Sequence, residues 1–147
     1  MTAGSPRIDA CTYLGHWPFR RLPQEGLAAL RDLSKRTSAD HALVGSFNAV
    51  FYRDPIDANE ESWEAINGDP SFTYVPVVNP LLPWWEKDVE WAKQHERPAV
   101  WLFPNYWGLK ISDPPGERLL AALREAGLGL VVSARLNDER LLPPEFY

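Results

Sequence analysis

Short apolar runs and amphipathic runs alternate along this chain without a break, and that alternation restricts its fold more than any other feature. Residues 7–14 read as a strand. Residues 24–36 read as a helix, with Pro23 suited to the first turn and Leu27, Leu30 and Leu33 on one face. Residues 42–47 form a short β-rich strand, followed by a long loop over 48–56. Asp57 with Glu60 three residues later resembles a capping box, opening a helix that buries Trp63 and Ile66 and stops at Gly68. Residues 72–78 are a third strand, interrupted by Pro76. Trp85, Val89 and Ala92 lie at helical spacing within 84–95, and residues 99–103 are a fourth strand. Asp113 then caps a helix with Pro114 at its first position, Leu119, Leu123 and Ala126 inward, and Gly127 as terminator. Residues 128–133, nearly all apolar, predict a fifth strand buried on both faces, and residues 141–147 a tail.

Strands and helices in strict alternation mean an α/β protein with a parallel sheet and right-handed crossovers. Two architectures fit. One is a partial TIM-type (β/α) barrel of about five βα units. The other is a five-strand doubly wound parallel sheet, which the length of 147 residues favours. The loop after the first strand, His16-Trp17-Pro18-Phe19-Arg20, has no Gly-x-Gly and no phosphate-loop lysine, and that favours the barrel. No internal linker or repeat beyond the βα unit divides the chain, so a single domain over 1–147 is expected.

Composition narrows the function classes. A net charge of −5 and no Lys/Arg run argue against nucleic-acid and membrane-surface binding. One cysteine excludes an internal disulfide framework, and the first residues carry no signal-peptide apolar segment, so a cytoplasmic protein is expected. No apolar run reaches transmembrane length. Seven tryptophans and fourteen prolines point to wide, rigid loops between short elements.

Side chains alternate along a strand, so Asp9, Cys11 and Tyr13 should share one face, at the end of the first strand where parallel barrels place their chemistry. A cysteine thiolate binds zinc, whereas a tyrosine phenol with a pKa of about 10 stays protonated at neutral pH. A lone cysteine serves more often as a small buried hydrophobe. His16 follows the first strand, His41 opens the second, and His95 ends a helix where its charge suits the dipole, so the three share no ligand spacing. Asn48, Tyr52 and Arg53 lie on the long second loop, the kind of place where such folds carry function. Asn105, Tyr106 and Trp107 follow the fourth strand as an aromatic wall with one amide, fit for a small-molecule pocket. Arg135, Asp138, Glu139 and Arg140, past the fifth strand, suit a carboxylate ligand.

Several blocks together resemble the amidohydrolase superfamily, in its branch of metal-dependent hydrolases and decarboxylases. Ile8-Asp9-Ala10-Cys11-Thr12-Tyr13-Leu14-Gly15 is similar to that family's strand-one motif, Ile-Asp-x-His-x-His-x-Gly. Trp17-Pro18-Phe19-Arg20, Leu102-Phe103-Pro104-Asn105-Tyr106-Trp107-Gly108 and Leu136-Asn137-Asp138-Glu139-Arg140 resemble the segments after strands one, four and five. The resemblance implies hydrolysis or decarboxylation of a small organic acid or amide at a divalent metal such as zinc. It places Cys11 and Tyr13 at the two positions of the histidine ligands, and the family's later ligands have no counterpart. From their places past the strand ends, Asp138 and Arg140 are the candidate catalytic groups, and His16, Asn105, Tyr106, Trp107 and Arg135 the candidate substrate-binding ones. The alternative is a non-catalytic subunit, either binding a small molecule or pairing with a second copy or another chain that supplies the missing barrel strands.

Overall fold

The computed structural model describes residues 5–18 and 26–133. The chain divides into two compact units, Met1–Val75 and Pro76–Tyr147.

The first unit carries β1 (Ile8–Leu14), α1 (Gly26–Thr37), β2 (His41–Ser46), α2 (Phe47–Phe51), α3 (Pro55–Ile66) and β3 (Phe72–Tyr74). The three strands are parallel in the order β1-β2-β3. β2 is central, which is why Ala42, Val44, Gly45 and Ser46 are all buried. A doubly wound sheet of the flavodoxin type would place its first strand between the next two. The sequential order is the one a barrel uses. Pairing of β1 with β2 skips a residue between Asp9 and Thr12, a β-bulge in β1.

The loop expected over 48–56 is largely helical. Ser46 caps α2, its Oγ accepting from Ala49 N at 3.3 Å. α3 begins at Pro55 with Asp54 as its cap, Oδ1 accepting from Ile56 N at 3.2 Å, so Asp57 lies within the first turn and is not the cap. Proline fixes φ and lacks an N–H, so the helix starts at the proline and the carboxylate before it takes the cap. Pro55, Ala58, Asn59, Ser62 and Ile66 form the buried stripe of α3, while Trp63 is only half-buried.

The second unit carries α4 (Glu86–Gln94), β4 (Ala99–Leu102), α5 (Pro104–Trp107), α6 (Pro114–Ala126) and β5 (Gly129–Val132). β4 and β5 are parallel, and Val77 bridges to Trp101 of β4. The strand expected over 72–78 thus stops at Tyr74. Pro76 cannot donate to a ladder, and its carbonyl instead accepts from Trp101 N at 2.7 Å.

Val78, Trp85, Val89, Val100, Leu119 and Leu123 are the centre of an apolar core between α4, α6 and the strands. Gly116 makes that packing feasible, because a Cβ there would stand 2.2 Å from the Ile111 carbonyl oxygen. Asp113 occupies the cap position of α6 through its backbone, its carbonyl accepting from Glu117 N, while its side chain makes no cap bond.

β5 is not buried on both faces as expected: Gly129 and Val132 are exposed. Among the described residues it pairs with β4 alone, so one edge of β5 has no strand beside it.

Helices α1, α4 and α6 end alike. Ala39 N, Arg97 N and Leu128 N each reach back five residues, to Ser34, Ala92 and Leu123 carbonyls. The left-handed position of that motif holds Gly127 in α6 but Ser38 and Glu96 in the other two.

Candidate functional site

The C-terminal ends of β1 and β2 gather the chemistry of the first unit. Cys11 is exposed, which overturns the buried-hydrophobe reading, and its Sγ lies 3.5 Å from the Tyr13 hydroxyl. The pair therefore shares a side, as alternation predicts. Asp9 does not complete the trio: next to the bulge, its Oδ1 accepts from Cys11 N at 3.0 Å.

The Tyr13 ring stacks on Phe47, centroids 4.4 Å apart and planes 17° apart. Trp17 leans on Phe47 at 5.1 Å and meets Phe51 edge-on at 5.6 Å. Phe47 and Phe51 are four residues apart on α2, so one helix face carries both rings. The four aromatics are each half-buried, forming a wall that remains open to a ligand.

Gly15 makes the turn that follows β1. Its φ is +106°, and a Cβ there would stand 2.8 Å from Asn48 Oδ1. That same oxygen accepts from His16 N at 3.1 Å and so ties the β1 exit to α2.

Asn48 and His16 are thus joined here, whereas Tyr52 and Arg53 are exposed in the turn before α3. Phe47 and Phe51 were not legible as site residues. The available signal was a serine followed by Phe-x-x-x-Phe, a capped turn with two rings on one face.

Asn105, Tyr106 and Trp107 lie in the second unit, on α5 after β4 rather than on a loop, and all three are half-buried. Trp107 packs edge-on against Phe103 at 5.9 Å. Arg135, Asp138, Glu139 and Arg140 lie outside the described residues.

The other two histidines are engaged in holding structure. His41 contacts the Pro70 carbonyl at 3.1 Å through Nδ1 and Thr73 Oγ1 at 2.8 Å through Nε2. His95 stacks on Trp91 and contacts its carbonyl at 2.8 Å.

At the opposite ends of the first unit's strands, Arg31, Lys35, Asp40, Asp69 and Phe72 border a cavity of about 430 Å³. Asp69 Oδ1 accepts from Ser71 N at 3.0 Å, and Oδ2 accepts from Arg31 Nη2 at 2.9 Å. These two donors, the backbone N–H first, hold its carboxyl below the usual range. In barrels this face serves stability.

A divalent metal at the end of β1 would need three protein ligands. The site offers one thiol and one phenol, and among the described residues no three His, Cys, Asp or Glu side chains gather into a metal-holding group. The donor set does not fit a zinc centre.

No family model matches the chain, and no curated protein matches it. Among solved structures it is similar to a probable 2-pyrone-4,6-dicarboxylic acid hydrolase from Acinetobacter baumannii with citric acid bound. The TM-score is 0.54 at 12% identity, covering 87% of this chain and 49% of that one. At that identity the likeness is one of fold: this is a mixed α/β chain with parallel strands, compatible with part of a TIM-type barrel. The chain spans about half the length of that hydrolase. Among the described residues no helix is long and apolar enough to cross a membrane.

Proposed function

We propose that this chain is an amidohydrolase-like protein that binds a small organic acid at the ends of β1 and β2, without metal-assisted hydrolysis of its own. The observation that carries the proposal is the convergence of Cys11, Tyr13, Trp17, Phe47 and Asn48 at the strand ends where this fold places its ligands. An open aromatic wall with a few polar atoms suits a flat, conjugated acid better than a flexible aliphatic one. The fold is similar to that of a probable 2-pyrone-4,6-dicarboxylic acid hydrolase whose structure holds citric acid. Arg135 and Arg140 are proposed as carboxylate-binding groups, Asp138 as a proton-transfer group, and Asn105, Tyr106 and Trp107 as substrate-binding residues of the second unit.

The test is a titration of the full chain with 2-pyrone-4,6-dicarboxylate and with citrate, followed by tryptophan fluorescence and by NMR. Saturable binding that weakens about tenfold or more in Trp17→Leu, about 1.4 kcal/mol, is the expected result. Absence of binding by both acids sinks the reading.

A second reading is a barrel-completing subunit. It is favoured by β5, which among the described residues has a strand neighbour on one side only. A dimer or a two-chain complex in native mass spectra supports it, and a monomer at micromolar concentration argues against it.

A further inference from the structure

We infer that the end of β1 has exchanged metal coordination for a self-contained thiol–phenol pair, in which Cys11 and Tyr13 bind each other and the aromatic wall rather than a divalent ion. The inference rests on the proposed strand-end site and concerns how that site is built.

Three observations converge on it. The two side chains that would face an ion meet each other at 3.5 Å. The Tyr13 ring is held face to face by Phe47, which is held in turn by Trp17. Moving the phenol oxygen to a metal would break that stack and would require the phenol, a weak acid, to give up its proton. No third donor joins them: among the described residues no three His, Cys, Asp or Glu side chains gather, and Asp9 Oδ1 accepts from Cys11 N at 3.0 Å. What remains is an exposed thiol beside a phenol on an aromatic floor, a surface suited to soft, polarizable and aromatic ligand groups.

The single cysteine makes the test clean. The full chain is reacted with a thiol-specific aromatic disulfide reagent, with and without one equivalent of zinc, and cobalt(II) is titrated in parallel. The expected result is a rate within about twofold of the metal-free rate and no cobalt–thiolate absorption band. Stoichiometric protection by zinc, of about tenfold or more, together with that band overturns the inference. The acid titration above is read separately, so a bound metal would overturn the inference while leaving acid binding to stand or fall alone.

Tyr13→Phe is the second variant. It keeps the stack on Phe47 and removes the hydroxyl, so the metal-free Cys11 rate should shift by about twofold or more if the pair is coupled. An unchanged rate overturns the pairing.

Discussion

The two units are built from the same βα elements, yet their interiors differ in kind. Between α3 and its strands, the first unit buries polar pairs. The Tyr74 hydroxyl donates to Asn59 Oδ1 at 2.8 Å, and the Ser62 hydroxyl donates to Ser46 Oγ at 2.8 Å. Thr12 Oγ1 is also buried and, among the described residues, makes no hydrogen bond. The second unit instead closes α4 and α6 over an all-aliphatic and aromatic cluster. Beside that cluster it buries Asn79, which accepts from Leu81 N in a turn, and Asp88 in the first turn of α4, and Trp101 Nε1 donates to Ser133 Oγ at 2.8 Å.

Apolar contact is non-directional, whereas a buried hydroxyl is costly unless its partner stands in one place. The polar pairs therefore fix α3 on β2 and β3. Through Ser46, which both caps α2 and receives Ser62, they also fix the helix that carries Phe47 and Phe51. The unit with the more directional interior is the one that holds the strand-end site.

That contrast breaks or sharpens under three substitutions. The largest effect belongs to Leu119→Ala in the second unit. Removing a fully buried leucine from an apolar cluster should cost about 2–5 kcal/mol, read from denaturant midpoints, and should leave the Trp17 environment unchanged. A cost near zero would mean that the cluster is not the stabilising core. Next is Tyr74→Phe in the first unit, which deletes one donor and leaves Asn59 Oδ1 without it. The expected loss is about 1–2 kcal/mol, with a change in Trp17 fluorescence as α3 and then α2 relax. A stability loss with no change at Trp17 would separate the polar pairs from the site.

The smallest effect is electrostatic. Because the folded-state carboxyl of Asp69 titrates below its unfolded value, it stabilises the fold above the usual carboxylate range. That contribution is lost as pH falls through the lower, folded pKa. Asp69→Asn keeps an oxygen for Ser71 N and removes the charge, so its acid-unfolding limb should be shallower than the parent's. Superimposable acid limbs would show that the Arg31 and Ser71 contacts do not stabilise the charge.

Legibility along the chain followed the range of the forces involved. The helices over 114–126 and 86–94 were plain, because leucine and valine spacing, Pro114 and Gly127 are all local signals. The α2 turn was missed because five residues show no period, and what holds it is Ser46 from the strand before it. The Asp113 side chain was expected to cap α6 and makes no cap hydrogen bond, although its backbone holds the cap position. In the site, Cys11 and Tyr13 were placed on one side by strand alternation, and the structure agrees. Asp9 was assigned to that side too. The bulge that accompanies its turn toward Cys11 N depends on how β1 registers against β2, thirty residues away in sequence.

Alternation of apolar period was enough, by itself, to determine an α/β chain with parallel strands, because burying a two-fold strand face beside a 3.6-fold helix face has few solutions. Tertiary structure alone decided the rest. The order β1-β2-β3 is the one a barrel uses and departs from a flavodoxin-type doubly wound sheet, and no local pattern encodes which strand becomes the neighbour. The aromatic wall exists because Phe47 and Phe51, carried on a short helix after β2, come to lie against Tyr13 and Trp17 from the end of β1. That meeting depends on a pairing register and on two buried hydroxyl pairs. These are long-range contacts whose free energy is realised only once the chain has folded.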